Sequence, residues 1–550
     1  MNAFCESLRG LFRGDVVSDE ELLTRYSRDA SLFVVRPTLI VCPRDARDVE
    51  ILVVAASAAQ KAGNKISLTA RAAGTDMSGG PLTESVVVDF SRYMNHVRGV
   101  EGILGKTEPG VFYRDFEKVT LEKNLLMPSY PASRELCAIG GIVANNAGGE
   151  KSLVYGKTAD YVHSLNVVLA DGHEYELKKL TAAEFAVKQR TQTFEGEIYR
   201  KMGEMVLKNK EILSRAKPTV SKNSAGYALW DVLGADGSFD LTRLFVGSQG
   251  TLGLVTEATF RLVKPKTHAR TLVIFLNDMQ RLAELVNALL LHKPESLESY
   301  DDKTMAIAIK YFGDIVKRLK GNIITLGIDF LPEFWAVLTG GMPKLIIIAE
   351  FTADSDEEAF RAAKEAEAGI ASFKLKTHVT KTKRESEKYW VVRRESFSLL
   401  RKHAQNLRTA PFIDDIVVRP EKLPEFLPRL YKILDEYKDK MIYTVAGHIG
   451  DGNFHIIPLM DLSDHSAGRT IEELAQKVYD LVFEYGGSMT GEHNDGIVRS
   501  VYLPQMFGGL VFALFEETKK IFDPTNLFNP GKKVGATIAY EEAHFDITSK

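Results

Sequence analysis

Cysteine is nearly missing from this chain, with three residues in 550, at Cys5, Cys42 and Cys137. Thiols so few and so far apart exclude a disulfide framework. They also exclude an iron–sulfur cluster held by this chain alone, which needs about four clustered thiolates. Long apolar runs are missing too. Residues 51–59 and 345–349 are the longest candidates, and both fall short of the ~18–20 residues of a membrane helix. No transmembrane segment is expected. Charge of one sign is not in excess: the net charge is −3, so no nucleic-acid partner is expected. Residues 1–29 alternate charges and lack the apolar stretch of a signal peptide. The expected compartment is the cytoplasm, with peripheral association at the inner face of a membrane left open. Finally, no G-x-G-x-x-G follows the first strand of a βαβ unit, so the nicotinamide-binding fingerprint is absent.

What is present is ordinary in bulk: 45% hydrophobic and 26% charged residues, enough for roughly two to four domains. Three glycine-rich segments punctuate the first half, each beside a strand-like run. They are Arg71-Ala72-Ala73-Gly74-Thr75-Asp76-Met77-Ser78-Gly79-Gly80, Ile139-Gly140-Gly141-Ile142-Val143-Ala144-Asn145-Asn146-Ala147-Gly148-Gly149, and the stretch from Gly247 to Gly253. A single segment of this kind reads first as a tight turn. Several together can expose backbone N–H groups to a pyrophosphate. Beyond Pro265 the rhythm changes to strand–helix–strand units, predicted at 270–276, 279–291 and 295–300, again at 344–351, 357–370 and 374–379, and again at 415–418, 423–436 and 441–448. Units of this length suggest a ferredoxin-like layer.

The sharpest local signal is Gly447-His448-Ile449-Gly450-Asp451-Gly452-Asn453-Phe454-His455, flanked by β-prone residues. A hairpin with Asp451-Gly452 as its two central turn residues pairs His448 with His455. Their Cβ atoms would then lie roughly 4.5–5.5 Å apart, a chelating geometry for a metal such as zinc. The bland alternative is a satisfied polar pair.

The glycine segments, with Tyr155-Gly156 and Thr256-Glu257-Ala258, resemble the flavin-binding domain of the vanillyl-alcohol oxidase and p-cresol methylhydroxylase superfamily. His448–His455, Gly491-Glu492-His493 and the closing Asn529-Pro530-Gly531-Lys532 are similar to its D-lactate, D-2-hydroxyglutarate and glycolate dehydrogenase branch. The resemblance runs over roughly residues 35–533. It implies an α+β fold: a two-part FAD-binding domain of the p-cresol methylhydroxylase type with a ferredoxin-like antiparallel-sheet cap. The implied division is an N-terminal helical segment (1–34), the FAD-binding domain (35–265), a substrate or cap domain carrying the hairpin (266–485), and a C-terminal segment (486–550) returning to the FAD domain.

Carried over residue by residue, the resemblance places FAD against Arg71 to Asp76, Ser78, Gly79, Gly80, Pro131, Ala138, Gly140, Gly141, Ala144, Asn145, Asn146, Gly148, Gly149, Tyr155, Gly156, Gly250, Gly253, Val255 and Asn529. Thr75 stands where covalent members carry a histidine, so the implied FAD is non-covalent. Glu492 joins His448 and His455 as the implied ligand set for Zn2+ or Mn2+. His493 is the implied base toward a substrate hydroxyl, and Arg393 the implied clamp on a substrate carboxylate. Asn453 is a further candidate for substrate contact, against the usual structural role of a turn Asn. Where relatives acting on 2-hydroxyglutarate carry a hydroxyl residue and a lysine, this chain has Phe397 and Ile413-Asp414-Asp415-Ile416. That argues against a dicarboxylate and for D-lactate or glycolate. Many relatives place a glycine after the Glu-His pair; Asn494-Asp495-Gly496 here, with Arg499 following, resembles forms fused or paired with an iron–sulfur module. The implied electron acceptor is an iron–sulfur protein, a quinone or a cytochrome. An oxidase of sugars or polyols, or a flavoprotein subunit built to dock an iron–sulfur carrier, remain the alternatives.

Overall fold

The computed structural model describes residues 2–310, 341–403 and 407–546, with 2–3, 308 and 395–403 described by backbone alone. Phe397 therefore lies outside the described side chains. Strand β1 is Asp15–Val17, β2 Leu39–Cys42, β3 Leu68–Arg71 and β4 Val86–Asp89. They form a four-stranded sheet in the order β1-β2-β4-β3, parallel at β2-β4 and β4-β3. The three parallel strands are short and almost wholly buried, as expected of parallel strands covered on both faces. Helix Ala46–Lys61 makes the β2-to-β3 crossover. Asp45 caps it by accepting from the Asp48 N–H, and Val49, Leu52, Val53 and Ala56 are buried on its inner stripe. The Arg71–Gly80 segment leaves the carboxyl end of β3, the end of a parallel sheet where ligands bind.

A second sheet follows, with β5 (Val97–Glu101), β6 (Leu104–Thr107), β7 (Val162–Val168), β8 (Glu174–Lys178) and β9 (Leu254–Arg261) in the order β5-β6-β9-β7-β8. Its β9 alternates buried and half-buried positions, the pattern of a strand with one core face.

The second half builds a seven-stranded antiparallel sheet in the order β13-β10-β12-β11-β17-β18-β15. The strands are β10 (His268–Leu276), β11 (Ser296–Asp301), β12 (Leu345–Ala353), β13 (Lys376–Val379), β15 (Ile416–Val417), β17 (Val445–His448) and β18 (Asn453–Ile456). Between them β14 (Arg408–Thr409), β16 (Met441–Ile442) and β19 (Leu459–Met460) form a small separate sheet. One face of the large sheet, through Leu272, Ile274, Leu297, Ile347 and Ala349, joins the core formed with helices Leu282–Leu290, Asp356–Gly369 and Leu423–Asp435. The other face carries Val273, Tyr300, Ile346 and Ile348 beneath Tyr389, Trp390 and Val392 of helix Lys383–His403. By the two-residue alternation of strands, Glu298, His448 and His455 share that second face.

Three expectations are corrected. The 1–34 segment is not purely helical, because Asp15–Val17 pairs antiparallel with Leu39–Cys42 and so extends the first sheet. The 139–149 segment is not a loop throughout: Ile139–Asn145 is a helix, ended by Asn146 in the left-handed region at φ 50°. Buried Ile139, Ile142 and Val143, at i, i+3 and i+4, anchor it. The 441–448 stretch is split between two sheets. The C-terminal residues pack back on the first sheet, where Leu68 donates to Leu527 and Asn529 donates to Leu68.

Candidate active site

The hairpin register differs from the sequence expectation. His448 pairs with Asn453, and His455 pairs with Ala446. Residues 449–452 form a four-residue loop, in which Gly452 adopts φ 66° and donates to the Ile449 carbonyl. Ile449 is fully buried, and this anchor lengthens the loop beyond the two-residue turn expected from Asp-Gly. The histidines are thus diagonal neighbours on one face, which long side chains can still bridge. Their rings lie 5.1 Å apart at 89°.

Glu492 Oε1 is the point on which the imidazoles converge. His448 Nε2 lies 3.3 Å from it, His455 Nε2 3.5 Å and His493 Nε2 3.9 Å. Each opposite ring nitrogen meets another carboxylate. His448 Nδ1 is 2.6 Å from Glu298 Oε1, His455 Nδ1 is 3.1 Å from Asp414 Oδ1, and His493 Nδ1 is 2.7 Å from Asp414 Oδ2. The other oxygen of Glu492 is 3.3 Å from the buried Lys222 ammonium, which also reaches Asp451 at 3.3 Å. Asp415 completes a cluster with His455, Glu492 and His493, yet its oxygens are already used. They accept from the Glu492 and His493 N–H groups, the Thr490 hydroxyl and the Asn453 amide. Asp415 therefore sets the 490–493 loop, and His448 is the better fourth member of the donor set.

The local charge favours a cation. Glu298, Asp414, Asp415, Asp451 and Glu492 are buried together, against Lys157, Lys222, Arg393 and Arg499. Burial opposes charge on His455, but Asp414 and Glu492 override it and push the imidazole up to about 10. Burial likewise opposes the His493 imidazolium, which Asp414 and Asp415 favour, and the net direction is upward. Burial would raise Glu492, but Lys222 and His448 hold it well below the ordinary carboxylate range. Added positive charge is thus favoured at His455 and His493. A divalent ion among neutral imidazoles and carboxylates fits the same need, and carboxylate-backed histidines are the usual support of such a site.

The cluster opens onto one cavity of about 2040 Å³, which the glycine segments also line. A drug-sized ligand needs at most ~1,000 Å³, so a dinucleotide and a small substrate both fit. Arg71 to Asp76, Gly80, Pro131, Ala138, Gly140, Gly141, Ala144, Asn145, Gly250, Gly253 and Val255 line it. Asp76 ties the first segment to the second, accepting from the Asn145 amide and from the N–H groups of Ser78 and Gly80. Gln249 then joins the third, donating to Ser78 and accepting from the Gly496 N–H.

Ser78, Gly79, Asn146, Gly148, Gly149, Tyr155, Gly156 and Asn529 do not line the cavity. Some of them brace its walls instead. Asn529, for example, donates to the Gly80 and Gln249 carbonyls, and Gly149 passes where a Cβ would sit 2.2 Å from the Tyr130 carbonyl. Asn453 is also corrected. It is fully buried, donates to Asp415 and the Ile416 carbonyl, and faces Lys222, so it orients Asp415 and does not face the cavity. Arg393 does line the cavity, with its guanidinium on Glu298 and 3.5 Å from His448 Nδ1.

Glu298, Lys222 and the wall formed by residues 28–33 had no place among the residues expected from sequence. Asp414 and Asp415 stood there only as a departure from relatives. Two carboxylates beside the apolar Phe412-Ile413 and Ile416–Val418 were themselves a signal, since buried acids need partners. Asp29 adds an observation on the cofactor side: its Oδ2 is buried at the cavity wall with no hydrogen-bond partner among the described residues.

Comparison with known proteins agrees with this architecture. A family described as an FAD binding domain matches residues 37–178, and one described as FAD linked oxidases, C-terminal domain, matches residues 265–533. The chain belongs to the FAD-linked oxidases. It is 30% identical over 542 residues to a D-2-hydroxyglutarate dehydrogenase of Pseudomonas putida, covering 96% of this chain and 51% of that protein. The chain thus spans about half the length of that relative. It is 27% identical over 521 residues to glycolate oxidase subunit GlcD of Bacillus subtilis, covering 92% and 91% of the two chains. The fold matches that of p-cresol methylhydroxylase with substrate bound at a TM-score of 0.68, with 14% identity and coverage of 97% and 96%. Among the described residues, no helix is long and apolar enough to cross a membrane.

Proposed function

We propose that this protein oxidises a small D-2-hydroxy acid, of the D-lactate or glycolate type, to the 2-oxo acid with non-covalent FAD and a divalent metal. The observation that carries the reading is the convergence of three imidazoles on Glu492 at the wall of the cavity lined by the glycine segments. When bound, FAD supplies the two-electron acceptor for the hydrogen at C2, and a zinc or manganese ion held by His448, His455 and Glu492 supplies the Lewis acid for the hydroxyl.

The chain's own residues bind, orient and move the proton. His493 keeps its Nδ1 on Asp414, so Nε2 is the atom that takes the hydroxyl proton. Arg393 lines the same cavity and is the carboxylate clamp. Thr75, in place of a histidine, leaves the flavin without a covalent tether. The surplus of carboxylates around the histidines opposes a second substrate carboxylate there, which supports a monocarboxylate. The electron acceptor on this reading is an iron–sulfur protein, quinone or cytochrome.

An anaerobic panel of D- and L-2-hydroxy acids, including D-2-hydroxyglutarate, followed by flavin bleaching, tests the reading. Bleaching by D-lactate or glycolate, lost after chelation and restored by zinc or manganese, is expected. Preferential bleaching by D-2-hydroxyglutarate overturns the substrate assignment. No bleaching by any acid, or reduction indifferent to chelation, overturns the mechanism.

A further inference from the structure

We propose that Asp414 is a positioning residue that orients a metal ligand and the base together, through its two carboxylate oxygens. The inference rests on the roles proposed above for His455 and His493. Oδ1 lies 3.1 Å from His455 Nδ1, and Oδ2 lies 2.7 Å from His493 Nδ1. The two rings stack at 5.0 Å and 24°, so the carboxylate meets both along one edge of the stack. An acceptor-only group opposite both Nδ1 atoms places a proton on each. Both Nε2 lone pairs then point to the Glu492 side, one toward a cation and one toward a substrate hydroxyl.

The support for Asp414 is itself fixed. Its side chain is fully buried, and its carbonyl accepts from the Arg499 guanidinium at 2.6 Å. The adjacent Asp415 accepts the Glu492 and His493 N–H groups at 2.8 and 2.7 Å. The acidic pair therefore sets backbone and side chains of the 492–493 step from one place. His448 is held separately, by Glu298 at 2.6 Å. Asp414 thus links metal occupancy to base orientation, whereas Glu298 joins His448 to Arg393.

Asp414→Asn separates this role from simple packing. The amide has nearly the same shape, but it offers one acceptor and one donor. One imidazole then faces an N–H group and must move its proton to Nε2 or rotate, which removes a lone pair from the Glu492 side, while the other keeps an acceptor without the negative charge that supports the basicity of its Nε2. The test uses flavin-loaded, chelator-stripped protein titrated with zinc ion alone, then flavin reduction by the best acid of the panel at saturating zinc. D414N is expected to keep its flavin, to bind zinc about 10–100-fold more weakly, and to reduce flavin at least about 100-fold more slowly even at saturating zinc, with KM little changed. Asp414→Glu, which keeps two acceptor oxygens, is expected to fall between D414N and wild type in both readouts. Equal zinc affinity for all three proteins overturns the assignment. Recovery of the wild-type rate by zinc-saturated D414N overturns the His493 half. If no acid reduces the wild-type flavin, the proposed function and the His493 half fail together, while the zinc arm decides the His455 half.

Discussion

Gly452→Ala is the substitution whose effect can be worked out most directly. Gly452 sits at φ 66° and ψ 22°, where a Cβ would lie 1.8 Å from the Val418 carbonyl oxygen, against 3.4 Å for ordinary contact. The left-handed conformation costs a residue with a Cβ about 1–2 kcal/mol. The clash is with backbone, so the chain must retreat, and it carries a hydrogen bond with it: the Val418 N–H donates to the Gly452 carbonyl at 2.9 Å. Leaving that pair unmade adds about 1–3 kcal/mol. The shift also falls between His448 and His455, which flank the loop. If about 2 kcal/mol of it reaches the ligand geometry, zinc affinity drops about thirtyfold. Zinc titration of the stripped protein and thermal unfolding measure the two parts. Gly486→Ala is the control, because Gly486 has nearly the same φ, 64°, with nothing among the described residues within 4 Å of its Cβ position. It should lose only the backbone part, with zinc affinity unchanged. A G452A protein that binds zinc within twofold of wild type and melts with it refutes the reasoning, as does equal damage from G486A.

His493→Ala should slow flavin reduction by about 10²–10⁴-fold while FAD and metal stay bound; a normal rate would remove His493 as the base. Asp301 gives a pH prediction away from the metal cluster. Burial pushes its carboxyl up to about 6 from an ordinary 3.8, against hydrogen bonds from Thr304 and the Val445 N–H. The folded state therefore holds this proton more tightly than the unfolded chain. The associated stability is fully present below pH 3.8 and is lost as pH rises through about 6, amounting to about 3 kcal/mol. Urea midpoints for wild type and Asp301→Asn should show a shallower fall between pH 4 and 7 in the variant, and parallel curves would contradict the assignment.

The strand–helix–strand rhythm beyond residue 265 was readable because its helices and strands carry clean periodicities; β10 and helix Asp356–Gly369 lie close to their expected places. The hairpin histidines stood out in the sequence by their spacing around a glycine-rich turn, whereas the Glu492–His493 step was placed beside them only by resemblance to the family. The hairpin register was not, since it depends on Ile449 entering a core assembled from distant helices. Nor was the helix at Ile139–Asn145, where glycines masked an apolar stripe. Asn453 looked like a turn residue facing substrate, and only the pairing of β15 with β18 turned it toward Asp415.

By itself, then, the sequence determined which chemistry the chain can host. Residue type fixes donor atoms, and glycine spacing and helical or strand periodicity are local properties of the chain. The tertiary structure decided how those donors are held. Asp414 meets its histidines across 41 and 79 residues, Glu298 meets His448 across 150, and Lys222 meets Glu492 across 270. No local pattern encodes such distances. They arise only when the sheet, the 490–493 loop and the segment from Ser221 to Ser224 are packed together, and buried carboxylates find the partners that burial requires.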